Sequence, residues 1–183
     1  MWLDMVKEEL GDKLQINWRS FALEQVNSEH GRDWKAWEQG TDYQSRGLWP
    51  LRGGIAARQQ GSAEHNEYMA KILHAKHVER EDVRTRESIL EIAVSASLDI
   101  DNFTEVLDDT KSLKTIGNDH EHARALGIFG TPTFVFGNGL STFVKMFTPP
   151  KHEAMDAFKH FMGIASERTY FGEIKRPQPP WPR

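Results

Sequence analysis

Histidine and cysteine are the residues whose numbers most limit the chemistry of this chain, with eight histidines and no cysteine. Without cysteine the chain has no disulfide, no thiolate nucleophile and no cysteine-ligated metal. His74 and His77 are spaced to share one face of a helix, and His120 and His122 flank Glu121. Neither set has a third ligand at a standard spacing, and both are typical of a solvated helix surface. We therefore expect no metal site.

A segment with one proline, Gly127 to Phe136 (GIFGTPTFVF), is the part of the chain around which the other elements are arranged. Gly127 can end a helix in the left-handed conformation. The run from Thr133 to Phe136 is β-branched and aromatic, which predicts a buried strand. The Thr131–Pro132 bond can be cis at such a turn. Taken alone, these residues favour an ordinary trans proline at the start of a strand.

The composition is that of a folded domain of 183 residues, with 38% hydrophobic and 27% charged residues and a net charge of -4. This length suits one domain, or one domain with an insertion. No apolar run reaches the roughly 20 residues that span a bilayer. Basic residues are scattered among acids, so no nucleic-acid partner is expected. If Met1 is the true start, no secretory signal precedes the domain and the expected location is cytoplasmic.

Two elements are predicted near the start of the chain. Residues 2–10 have apolar side chains at helical spacing, and Gly11 follows as the stop. Residues 13–20 alternate, with Leu14, Ile16 and Trp18 on one face, which predicts a half-exposed edge strand.

From about residue 24 to residue 126 the pattern predicts helices only. We predict N-caps at Ser62, Thr85 and Asp101, and we interpret Gly47-Leu48-Trp49-Pro50 as a break. The predicted helices cover residues 27–39, 55–60, 62–78, the segments after Thr85 and after Asp101, and 113–126.

A hairpin and a helix are predicted after the proline segment. Gly137-Asn138-Gly139 is a turn sequence that tolerates positive φ, and Ser141 to Phe147 is the returning strand. Thr148-Pro149-Pro150 starts the next helix. The proline-rich tail is predicted to be irregular.

The order helix, strand, helical block, strand, hairpin, strand, helix, together with HARALGIFGTPTFVFGNG, resembles the DsbA-like thioredoxin-fold family, and its FrnE-like oxidoreductases in particular. The resemblance implies an α/β, thioredoxin-like fold, incomplete because its first strand is missing, with a large all-helical insertion. It places the thioredoxin-like domain at residues 1–23 and 127–168, the insertion at residues 24–126 and an irregular tail at residues 169–183.

The resemblance also implies a binding site. Pro132 matches the cis-proline of the thioredoxin fold and Thr131 the residue before it, while Phe129 and Gly130 shape the approach. In the family, this backbone pairs with bound peptide or glutathione like an added strand. The expected partner is therefore a protein or a small thiol or disulfide, without a membrane, and a homodimer is a possible assembly.

The chain differs from the family in the segment that carries the redox chemistry. Family members carry a strand and then a C-x-x-C pair at the start of the first helix, where the helix dipole favours the thiolate. Both cysteines are absent here, so we expect no thiol–disulfide exchange by the family mechanism. The missing strand leaves a gap in the sheet. Three arrangements would fill this gap: residues 13–20 pair with 133–136, a partner chain supplies a strand, or the gene product starts upstream. We expect the last of these.

Three functions remain open from the sequence. The first is a disulfide oxidoreductase of the DsbA family without its redox motif and without a cofactor. The second is a kappa-class glutathione transferase or 2-hydroxychromene-2-carboxylate isomerase, which would bind glutathione. The third is a non-catalytic binding protein.

Overall fold

The computed structural model describes residues 2–31, 33–40 and 43–175, which form two compact units. We call residues 1–17 and 130–183 the sheet unit and residues 18–129 the helical unit. The described residues contain the helices α1 Trp2–Leu10, α2 Leu23–Val26, α3 Leu48–Gln60, α4 Ser62–His74, α5 Arg86–Ser95, α6 Ile100–Asp108, α7 Lys111–Ala125 and α8 Ala154–Met162, and the strands β1 Thr133–Val135 and β2 Ser141–Phe143. Short 3-10 helices cover Gly11–Lys13, Ala36–Glu38 and Lys151–Glu153, and π-helical turns cover Ala75–Glu79 and Gly163–Glu167.

The helical unit is built around α3, which packs against α4, α5, α6 and α7. Its main apolar cluster includes the large side chains of Tyr68, Ile89, Phe103 and Leu107, which have no exposed surface. Apolar side chains on one stripe of each helix account for this packing, because burying that stripe is the main favourable contribution to folding.

The helix starts confirm the predicted cap at Thr85, correct the two other predicted caps, and correct the predicted break at residues 47–50. The Thr85 hydroxyl accepts from the Ser88 N–H. Asp99, and not Asp101, caps α6 by accepting from the Asn102 N–H, because an N-cap acceptor must lie two or three residues before its donor. Ser62 is the first helical residue, after Gly61 with φ 146°. The segment predicted as a break opens α3, where Pro50 lies among the first four residues and needs no helical donor.

The helix predicted over residues 27–39 is wrong. Apart from Arg32, which lies outside the described residues, this segment has one short 3-10 helix, Ala36–Glu38. The Gln25 side chain accounts for the difference, because its amide donates to the Trp34 carbonyl and its oxygen accepts from the Ala36 N–H. Side-chain bonds to the backbone therefore replace the helical ladder.

The strand predicted over residues 13–20 is also wrong. In the described residues the sheet has two strands, β1 and β2. The amides of Ser20 and Ala22 instead donate to the side chains of Asp119 and His120 on α7. Pairing of residues 13–20 with β1, one of the ways to fill the expected sheet gap, is thereby contradicted.

The two strands form an antiparallel hairpin in which Thr133 lies opposite Phe143, Phe134 opposite Thr142 and Val135 opposite Ser141. Gly139 has the positive φ expected of the turn, at 84°. Both strands are shorter than predicted, since β1 ends at Val135 and β2 at Phe143. Residues 169–175 have no helix or strand, and the rest of the predicted irregular tail, residues 176–183, lies outside the described residues.

One face of the hairpin is covered and the other carries exposed apolar groups. Phe134 packs with the α1 and α8 side chains around the buried Trp2, whose indole N–H donates to the Ala154 carbonyl. Val135 and Phe143, which point to the opposite face, are 51% and 39% exposed. The sheet unit therefore buries its apolar surface on one side of β1 only.

Candidate functional site

The candidate site is the segment from Phe129 to Pro132, which we call the cis-proline loop. Its Thr131–Pro132 peptide bond is cis, as the family resemblance implied. Thr131 and Pro132 are both exposed to solvent. The loop connects the end of α7 to the first residue of β1.

The end of α7 fixes where the loop begins. Gly127 has a φ of 77°, its N–H donates to the Arg124 carbonyl, and the Ile128 N–H donates to the Ala123 carbonyl. These two bonds define a Schellman cap, which stops the helix and favours glycine at the residue with positive φ. The cap predicted at Gly127 is confirmed.

The other end of the loop is tied to the hairpin. The Thr133 hydroxyl donates to the Gly130 carbonyl at 2.7 Å, and the Pro132 carbonyl accepts from the Val144 N–H at 3.0 Å. Gly130 lies against the Phe143 ring, where a Cβ would come within 3.3 Å of Cε2. The loop backbone is therefore held on both sides of Thr131.

Thr131 is the loop residue whose backbone groups can pair with a ligand. Neither its backbone N–H nor its carbonyl has a hydrogen-bond partner among the described residues. A donor and an acceptor on one exposed residue can pair with the backbone of an extended ligand, as strands do with an added strand. This arrangement can bind and orient a ligand.

The chemistry of the segment is otherwise that of an uncharged surface. Residues 125–144 contain no ionisable side chain, so the loop itself offers no general acid, general base or thiolate. Phe129, 66% exposed, adds an apolar side chain at the start of the loop. The segment is therefore suited to binding a backbone and apolar groups, and any bond-breaking chemistry must come from groups outside it.

Three of the four histidines in the two sets, His74, His77 and His122, are exposed as predicted, and His120 is buried. His74 lies 3.5 Å from Glu79 on the surface. His120 has no exposed surface and stacks on Phe21 at 4.6 Å between ring centroids, contrary to the prediction. The sequence does hold the signal, because Ile116, His120 and Ala123 follow one helical stripe. No cluster of three or more possible metal ligands occurs within the described ranges.

His120 holds a segment of the helical unit. Its Nδ1 accepts from the Ala22 N–H at 3.2 Å, and its ring also lies 5.1 Å from that of Trp37. Burial lowers the pKa of His120, with Arg124 and Lys35 adding to the shift and Glu121 opposing it. The imidazole is therefore neutral when it accepts this bond, so His120 has a structural role in the neutral form.

Comparison with known proteins agrees with the α/β fold and the helical insertion. A family model described as "DSBA-like thioredoxin domain" matches residues 5–160. The uncharacterized protein Rv2286c of Mycobacterium tuberculosis is 26% identical over 185 residues, which cover 98% of this chain and 76% of that protein. Within the described part of the chain, the structure contains no helix with the length and apolar character needed to cross a membrane.

Proposed function

Because the chain belongs to the DSBA-like thioredoxin domain family, we propose that it binds the extended backbone of a disulfide-containing polypeptide for thiol–disulfide exchange. The observation that carries the proposal is the exposed Thr131, whose N–H and carbonyl lack partners among the described residues. The chain has no cysteine, so the sulfur atoms of the exchange belong to the substrate and to a thiol outside these 183 residues.

The remaining loop residues have supporting roles in this proposal. Pro132 ends the loop on the hairpin side. Its carbonyl accepts from the Val144 N–H and is therefore already paired within the protein. Gly130 lets the Phe143 ring lie close to the loop, since a Cβ there would come within 3.3 Å of Cε2 of that ring. We further propose that the sheet unit is the thioredoxin-like part of the chain and the helical unit its insertion.

The variant Thr131→Pro tests the role of the backbone at this residue. Proline removes the N–H that would donate to the ligand, and no described hydrogen bond within the protein is lost. We expect an affinity at least about tenfold lower for a short peptide with an internal disulfide, since one lost bond with a blocked approach costs about 1.4 kcal/mol. Calorimetric titration measures this change.

Thr131→Ala is the matched control, because it removes the side chain and keeps the N–H. Its affinity for the same peptide should stay within about twofold of the wild type. Equal affinities for Thr131→Pro and the wild type would contradict the proposal. Binding of oxidised or reduced glutathione, with no binding of the peptide, would instead favour the glutathione transferase or isomerase function.

The absence of cysteine leads to a separate expectation for catalysis. The isolated chain should not accelerate the reduction of insulin by a small dithiol, because no residue can form the mixed disulfide. Turbidity of precipitating insulin chains reports this reaction. Acceleration above the rate of the dithiol alone would show that the chain contributes more than binding.

A further inference from the structure

The side chain of Thr133, the first residue of β1, reaches back to the cis-proline loop. Its hydroxyl donates to the Gly130 carbonyl at 2.7 Å, and this bond is partly buried. A bond from a threonine hydroxyl to the carbonyl three residues earlier fixes the backbone between its two ends. The residues between the ends are Thr131 and Pro132, which are both exposed.

This bond determines the direction of the Thr131 N–H. The Gly130–Thr131 peptide bond is trans, unlike the Thr131–Pro132 bond that follows it. In a trans peptide the carbonyl and the N–H lie in one plane and point in opposite directions. Because the Gly130 carbonyl points to the Thr133 hydroxyl, the Thr131 N–H points away from that hydroxyl.

Gly130 is the residue at which this direction could otherwise change. Glycine has no Cβ and populates more backbone conformations than other residues, so the peptide that follows it is easily rotated. On the far side of Thr131, the Pro132 carbonyl is held by a backbone bond from the Val144 N–H. The Gly130 carbonyl is held by a side chain, that of Thr133, and a substitution can remove this bond.

We infer, building on the proposed ligand binding at Thr131, that Thr133 is a positioning residue whose hydroxyl holds the Thr131 N–H in the orientation that binds the ligand. A donor that is already oriented raises the affinity, because its ordering costs nothing at the moment of binding. The bond to the carbonyl also polarises the peptide, which makes its N–H a stronger donor. Thr133 therefore acts through Thr131, with a side chain that is bonded within the protein.

Thr133→Val removes the hydroxyl and keeps the β-branched shape that suits a strand. We expect this variant to bind the short peptide with an internal disulfide about fivefold to tenfold more weakly than the wild type, since the amide can then leave the binding orientation. Thr133→Ser keeps the hydroxyl, so its affinity should stay within about twofold of the wild type. Calorimetric titration measures all three affinities.

Thr142→Val is the matched control in the same hairpin. Thr142 is also partly buried, and its hydroxyl donates to the Ala165 carbonyl at 3.1 Å, away from the loop. This variant loses a bond of the same kind without changing the Gly130–Thr131 peptide, so its affinity should stay within about twofold of the wild type. If Thr142→Val weakens binding as much as Thr133→Val does, the hydroxyl of Thr133 has no particular role and the inference is overturned.

Nuclear magnetic resonance of the free protein tests the orientation without a ligand. A hydrogen bond draws electron density from a carbonyl carbon and from the peptide that contains it, which moves their resonances. We expect the carbonyl-carbon resonance of Gly130 and the amide-nitrogen resonance of Thr131 to shift in Thr133→Val and to stay near the wild-type positions in Thr133→Ser. Unchanged resonances in Thr133→Val, or shifts of equal size in Thr133→Ser, overturn the inference.

The peptide titration separates a failure of this inference from a failure of the proposed function. A wild type that does not bind the peptide contradicts the proposed function. A wild type that binds it no better than a folded Thr133→Val contradicts the role of Thr133 alone. If circular dichroism shows that Thr133→Val is unfolded, Thr133→Ser and Thr133→Ala give the same comparison, because these two variants differ by the hydroxyl only.

Discussion

Replacing Gly53 with alanine is expected to destabilise the helical unit by about 3 kcal/mol, the upper range for overpacking a close-packed core. A Cβ at this position would lie 2.7 Å from Tyr68 Cζ and 2.8 Å from Ile89 Cγ2, and it would also contact the Tyr68 hydroxyl. Tyr68 and Ile89 have no exposed surface, so neither ring nor methyl group has room to move aside. Urea unfolding followed by circular dichroism measures the loss.

Gly54→Ala is the matched control in the same helix. A Cβ there has its nearest neighbour at 3.8 Å, the Met69 sulfur, which is an ordinary contact distance. Because alanine is the better helix former by about 1 kcal/mol, Gly54→Ala should be neutral or stabilising. Tyr68→Phe removes the hydroxyl that meets the new methyl group, so the double variant Gly53→Ala/Tyr68→Phe should recover part of the loss. Equal stabilities for the Gly53 and Gly54 variants would contradict the packing described for α3 and α4.

Replacing His120 with leucine is expected to cost about 2–3 kcal/mol of stability, because it leaves the buried Ala22 N–H without its acceptor. Asparagine offers an oxygen close to the position of Nδ1, so His120→Asn should retain more of the stability than His120→Leu. Urea unfolding of the three proteins at neutral pH measures the difference. If the leucine variant is at least as stable as the asparagine variant, the bond to Ala22 is not what His120 contributes.

The pH dependence of stability gives an independent test of the same residue. Burial lowers the pKa of His120 in the folded chain, so below about pH 6.5 the unfolded chain binds more protons than the folded one. The contribution of His120 to the free energy of unfolding is therefore complete above that pH. It is lost as the pH falls through the lowered pKa of His120 in the folded chain. The stability difference between wild type and His120→Asn should shrink over this range. The other seven histidines are common to both proteins, so they cancel in the comparison.

The local features of the candidate site could be predicted from the sequence. Gly127 ends a helix and the Gly137–Gly139 turn reverses the chain because each depends on the backbone freedom of one or two residues. The cis form of Pro132 and the membership of the family could not be derived from those residues alone. They followed from the resemblance of the whole order of elements, which the family match confirms. The narrower FrnE-like branch stays a prediction.

The predictions for residues 13–20 and for His120 were wrong because side chains far away in the sequence determine the local structure there. The alternation in residues 13–20 is real, but at its end the Ser20 amide donates to Asp119, about a hundred residues later, and the Ala22 amide that follows donates to His120. The burial of His120 depends on the same contacts and on the rings of Phe21 and Trp37.

Hydrogen exchange of the Thr131 amide, with and without the disulfide-containing peptide, tests the central claim most directly. The N–H of Thr131 lacks a partner among the described residues, so in the free protein it should exchange rapidly. Bound peptide should slow its exchange at least about tenfold, the effect of occupying one unpaired donor most of the time. The Phe134 amide, which lies opposite Thr142 in the hairpin, should change little and serves as the internal control. Peptide binding that leaves the exchange of Thr131 unchanged would contradict the account.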